Sequence, residues 1–120
     1  MRPNQSILQA TKVALRGMLI LLRERAFRIQ LAVGLVITFL GFYCQIEPWA
    51  WAVQTLAIGL VLMAEGINTA IERLCDMVQP DFDPKIGRIK DMSAGFVSIA
   101  AMISIVVAVI IYGQKLGLFN

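Results

Sequence analysis

From Met92 to Tyr112 the chain carries no charged residue, and its clearest polar interruptions are Ser93, Ser98 and Ser104. A helix of about 20 apolar residues is what crosses the roughly 30 Å hydrocarbon core of a bilayer. In that solvent every backbone N–H and C=O must be satisfied within the segment, so the stretch is constrained to be a helix. Two more segments have the same character. Ala26 to about Cys44 contains LAVGLVITFLGFY, with Arg28 and Gln30 near its start. A second begins near Trp49 and stays largely apolar to Ala64, with Gln54 as its main interruption. It continues as EGINTAIERLCDMV up to Gln79-Pro80, with Gly66 the one weak helix former. Read as one helix, Trp49 to Gln79 is about 46 Å long, more than a bilayer core needs. Its last turns are therefore expected to project from the membrane or lie at its surface.

Composition supports lipid as the solvent. Hydrophobic residues make up 58% of the 120 and charged residues only 16%, against about 25% charged in a soluble domain. The same figures argue against disorder. The net charge of +3 is too small to argue for nucleic acid, and no such partner is expected. Histidine is absent, which removes histidine metal ligands, general bases and triads. Cys44 and Cys75 are too few for a disulfide scaffold or a zinc site.

The expected fold is an all-α membrane protein in a single domain over residues 1–120. An amphipathic surface helix over about 4–23 precedes spans at about 26–44, 49–70 and 92–112, with the second helix extended to 79. In the first segment Gln5, Gln9, Lys12, Arg16 and Arg23 recur at helical spacing, while Ile7, Leu8, Leu15, Leu19 and Leu22 fill much of the rest. That pattern suits a helix lying on anionic headgroups. A cleaved signal peptide is the alternative, but no A-x-A-like site precedes the apolar span. The loop charges are one-sided. Arg2, Lys12, Arg16, Arg23, Arg25 and Arg28 precede or open the first span, and Arg73, Lys85, Arg88 and Lys90 lie between the second and third. Gln45-Ile46-Glu47-Pro48, between the first and second, has no basic residue. The positive-inside rule puts the N-terminus and the basic loop in the cytoplasm. Tyr43, Trp49 and Trp51 then mark the outer interface, and the two cysteines fall on opposite sides. Pro80-Asp81-Phe82-Asp83-Pro84 reads as the clear loop.

Chemistry enters where the second helix stops being apolar. Glu65, Asn68, Glu72 and Asp76 follow at intervals of three, four and four, so they share one helical face, with Thr69 beside them. Carboxylates within a membrane are costly and face a bundle interior or a watery cavity. A solvated helix end would account for Asp76, but less well for Glu65, which follows LAIGLVLMA directly. A proton or cation relay is another use of such a stripe, and a non-catalytic assembly subunit a third. Arg73 interrupts the apolar remainder and is expected at the headgroup level. A second cluster, Gly87-Arg88-Ile89-Lys90-Asp91-Met92, precedes the third span on the same side of the membrane. Topological charge, and an Asp near a helix N-terminus, would explain it without chemistry. The two clusters together offer more. Carboxylates can hold Mg²⁺ with substrate phosphates, a lysine can offset phosphoryl charge, and a glutamate can take a hydroxyl proton. These are the parts of a phosphoryl-transfer site, with no G-x-x-x-x-G-K-[ST] loop present.

The stretch E-G-I-N-T-A-I-E-R-L-C-D from Glu65 to Asp76, followed by G-R-I-K-D-M from Gly87 to Met92, resembles the small prokaryotic diacylglycerol kinase family, which includes an undecaprenol kinase branch. The E-x-x-F-R element from Glu24 to Arg28 extends the resemblance, and the layout matches over nearly the whole chain. The resemblance implies a homotrimer in the bacterial inner membrane, with active sites between subunits at the cytoplasmic surface. It implies ATP-dependent phosphorylation of a lipid hydroxyl with Mg²⁺. By motif position Glu65 is the general base, with Asn68 positioning groups beside it. Glu24 and Glu72 hold the metal and the ATP phosphates, Lys90 contacts the phosphates, and Asp91 supports the nucleotide. Asp76, Gly87 and Arg88 are supporting positions, and Gln30 and Glu65 face the lipid. Diacylglycerol is the expected acceptor, with undecaprenol as the alternative. Departures from the pattern bear on that choice. Gln30 matches neither branch, which have Glu or His there. The segment from Gly17 to Glu24 is one residue short, Asp83 replaces a common His, and Ser6 and Gln9 stand where some members are basic.

Overall fold

The computed structural model describes residues 6–119 and consists of four helices in sequence: α1 Ile7–Leu22, α2 Arg25–Cys44, α3 Pro48–Val78 and α4 Pro84–Lys115. The last three are each long and apolar enough to cross a membrane. The expected helix start at residue 4, with Arg2 and Gln5, lies outside the described residues.

Each helix begins where a local signal places it. Ser6 caps α1 in a reciprocal arrangement: its hydroxyl accepts from the Gln9 N–H, and the Gln9 side chain accepts from the Ser6 N–H. None of the α1 side chains is buried. Proline opens both α3 and α4, a position where the absent N–H removes no intrahelical bond. Asp83 caps α4, its carboxylate accepting from the Lys85 N–H at 2.8 Å. Helix α2 ends with Gln45 in the left-handed region at φ 53°, and Ile46 N–H returns to the Gly41 carbonyl at 3.2 Å. That turn buries Ile46 against Ala50 and Ile111.

One reading of the sequence is corrected here. The segment holding Lys85, Gly87, Arg88, Lys90 and Asp91 is not a loop before the third span but the first turns of α4. The cap at Asp83 and the proline after it start the helix well before the uncharged stretch. Asp91 therefore sits two turns inside α4, beyond the reach of a macrodipole that fades after the first turn.

Helix α3 is the spine. A larger share of its apolar residues is buried than in α2 or α4. It runs antiparallel to both neighbours. The close approach to α2 is made at glycines: a Cβ at Gly34 would meet Ile58 Cγ2 at 2.8 Å, and one at Gly41 would meet Trp51 at 2.9 Å. A polar tie crosses all three spans at one level. Tyr112 donates to Gln54 Oε1 at 2.6 Å, and Gln54 Nε2 reaches the Ile37 carbonyl at 3.5 Å. Ser104 donates to the Ala57 carbonyl at 3.2 Å, joining α4 to α3. Glu47 accepts from the Trp49 indole at 2.8 Å at the α2–α3 turn. Lys115 donates to the Gln45 carbonyl at that same end at 3.0 Å, whereas Arg73, Lys85, Arg88 and Lys90 lie toward the opposite end of the bundle, called here the charged end. The two cysteines are free, Cys44 at the α2–α3 turn and Cys75 near the charged end.

Candidate active site

The stripe read from the sequence is a real face of α3, and its exposure is graded. Glu65 and Asn68 are buried, at 6% and 8% exposed, while Glu72 and Asp76 are exposed. Asn68 Nδ2 donates to Glu72 Oε1 at 3.2 Å, so amide and carboxylate hold each other across one turn. Asn68 Oδ1 is buried without a hydrogen-bond partner among the described residues. Thr69 donates to the Glu65 carbonyl at 3.0 Å, which keeps its hydroxyl within the helix.

Two ion pairs bring the other segments to this face. At the α1–α2 junction Glu24 occupies the N-cap position of α2 but makes no cap hydrogen bond with its side chain. Its carboxylate instead meets Arg73 of α3. Just ahead of it, Leu21 lies against Gly66, where a Cβ would come within 3.4 Å. Glu24 is therefore held against α3 by Arg73, the residue that follows Glu72. On the other side Lys90 of α4 pairs with Asp76. The hydrogen bond to Asp76 is the leading influence on the Lys90 ammonium, which lies before the uncharged stretch, and holds it above the ordinary lysine range.

The remaining expected residues are placed less centrally. Gly87 lies one turn before Lys90 and is half-buried, whereas Arg88 and Asp91 are exposed. Gln30 lines an apolar cleft of about 240 Å³ between α2, α3 and α4, shared with Gly34, Gln54, Ala57 and Ser104. Glu65 is not part of that lining, so the two residues expected to meet the lipid are in different surroundings. Two residues outside the expected set lie close to it in the fold, Arg73 by its pairing with Glu24 and Ser93 by its place in α4. Arg73 was read as a headgroup charge, and a lone basic residue inside an acidic stripe is the signal of its pairing. Ser93 is 1% exposed, and its hydroxyl lacks a partner among the described residues. It lies one turn deeper than Lys90, and its three-residue spacing from that lysine is the signal.

Among the described residues no three acidic or cysteine side chains converge on one metal position. Mg²⁺ does not demand that. It is commonly held by one or two carboxylates together with substrate phosphates and water. Glu24 and Glu72, two carboxylates from adjoining segments, fit that smaller demand by their donor chemistry.

A helical protein with three helices able to span a bilayer, and with carboxylates, an amide and a lysine toward one end of the bundle, belongs to the class of multi-pass membrane proteins. Residues 12–112 match the prokaryotic diacylglycerol kinase family, and the chain belongs to that family. It is a lipid kinase. The undecaprenol kinase of Bacillus subtilis (strain 168) is 31% identical over 93 residues, covering 78% of this chain and 76% of the relative. Membership of a kinase family favours the kinase over the ion-pathway and assembly-subunit alternatives for the protein.

Proposed function

We propose that the protein transfers the γ-phosphoryl group of ATP to the hydroxyl of undecaprenol at the cytoplasmic face of a bacterial inner membrane. The observation that carries the acceptor is the similarity to an undecaprenol kinase over 78% of the chain. This replaces diacylglycerol as the first reading. Diacylglycerol is kept as the second, because it names the family.

Glu65 lies at the boundary between the apolar and polar parts of α3, where a lipid hydroxyl can reach it. It takes the hydroxyl proton as the oxygen attacks the γ-phosphorus, and the bond to the bridging oxygen of ADP breaks. Asn68 orients the hydroxyl through its unpaired amide oxygen and steadies Glu72 through its Nδ2. Lys90 offsets charge on the phosphates, with Asp91 beside it on the nucleotide side. Glu24 and Glu72 would hold Mg²⁺, which supplies charge neutralisation of the phosphates. Asp76 keeps Lys90 in place, and Gly87 and Arg88 flank it. Gln30 meets the lipid tail side. The working form is a homotrimer, and α1 lies on the membrane surface as an amphipathic helix.

Purified protein in mixed micelles with γ-labelled ATP and Mg²⁺ is expected to label undecaprenol in preference to diacylglycerol at equal mole fraction. A preference for diacylglycerol would reverse the acceptor assignment. Labelling of neither lipid would count against both.

A further inference from the structure

The ion pair at the α1–α2 junction has no role in the transfer step, yet it ties down a carboxylate assigned there to the metal. Glu24 has two kinds of partner available to it: the guanidinium of Arg73, and the divalent cation of the proposed reaction. We propose that Arg73 is an internal counter-ion that holds Glu24 in place until a divalent cation with its nucleotide displaces it. This deepens the proposed function and rests on its assignment of Glu24 to the metal.

Three observations carry the inference. First, the pairing is built into the packing. Leu21 seats on Gly66, and Glu24 reaches Arg73 seven residues further along α3, two turns or about 10 Å away. Gly66 and Arg73 each follow a carboxylate of the stripe, Glu65 and Glu72, by one position. The contact therefore holds Glu24 against the polar half of α3, at the residue that follows Glu72, before any ligand arrives. Second, Glu24 is free to change partner. It stands at the N-cap of α2 without bonding the helix, so its carboxylate is committed only to Arg73. Third, the pair is weak enough to exchange. The Arg73 side chain is 65% exposed and that of Glu24 23% exposed, so the guanidinium can turn into water when released.

Exposed ion pairs contribute roughly 0.2–1 kcal/mol, which as a competitor corresponds to at most about a fivefold change in binding. The test is equilibrium binding of the manganese complex of a methylene-bridged, non-hydrolysable ATP analogue to the full chain in micelles, read by water-proton relaxation. No turnover is involved. Arg73→Gln should tighten binding by up to about fivefold, and Arg73→Lys should stay close to the unmodified protein. Glu24→Gln should weaken binding and erase the effect of Arg73→Gln in the double variant. Unchanged or weaker binding in Arg73→Gln, with Glu24→Gln still impaired, overturns the counter-ion role and leaves the metal assignment standing. Arg73→Lys binding as tightly as Arg73→Gln also overturns it. Undiminished binding in Glu24→Gln defeats the metal assignment and the counter-ion together. None of these outcomes depends on which lipid is phosphorylated.

Discussion

Glu65 is a carboxylate that an otherwise apolar run of α3 delivers, buried, to the edge of the polar zone. Replacing it with glutamine keeps the shape and removes the base. Glu65→Gln is expected to lower turnover by at least about 10²-fold, the lower range for general-base catalysis, with helix content unchanged. Labelled phosphate transfer and circular dichroism check both halves, and undiminished turnover would sink the base assignment. Asn68→Leu removes the donor to Glu72 and the unpaired acceptor together. It should raise the Mg²⁺ concentration needed for half-maximal rate as well as lower the maximal rate, and a pure loss of stability without either would defeat the role given to Asn68. At this scale much of the proposed site was legible in the sequence. Spacing alone put Glu65, Asn68, Glu72 and Asp76 on one face. The partners of Glu24 and Lys90 were not legible, because an ion pair between residues 49 positions apart, as in Arg73–Glu24, leaves no periodic trace. Ser93 was hidden for the opposite reason: a serine in an apolar span looks like a tolerated interruption until its burial is known.

Among the elements, the spans were readable from hydropathy and the start of α4 was not. Two prolines and two aspartates in five residues carry a loop signal, although Asp83-Pro84 is also a cap followed by a favoured first helical residue. Loop and helix-start signals share the same residues, and tertiary contact decides between them. Here the pairing of Lys90 with Asp76 rewards a helix that starts early. Asp83→Ala should cost about 1 kcal/mol through the lost cap, with fraying confined to the first turns of α4, measurable by amide exchange at Ile86 to Lys90. The α2–α3 contact makes a sharper demand. At Gly34 an added methyl would meet Ile58 at 2.8 Å. Gly34→Ala is expected to destabilise the bundle by about 1–3 kcal/mol unless Ile58 turns away, read as a lowered midpoint of unfolding in mixed SDS micelles. Gly59, with nothing within 4 Å of an added Cβ, is the control that should tolerate alanine.

For the molecule as a whole, the distribution of length along α3 matters more than its total. From Pro48 to Glu65 is 17 steps, about 26 Å of helix, and a typical hydrocarbon core is about 30 Å. The Trp49 indole, bonded to Glu47, marks one end of that distance. The proposed base marks the other, within roughly a helical turn of the opposite boundary. With Glu65 as the proposed base, α3 is expected to act as a gauge of membrane thickness. Where acyl chains are longer, either the helices stand more upright or Glu65 sinks below the headgroups, away from nucleotide and water. Shorter chains lift it clear of the lipid hydroxyl it must meet. Reconstitution in phosphatidylcholines of increasing chain length should therefore give a single activity optimum, its position set by the spacing between an indole and a carboxylate. Lengthening α3 by one full turn between Ala52 and Leu60 should move that optimum toward thicker bilayers.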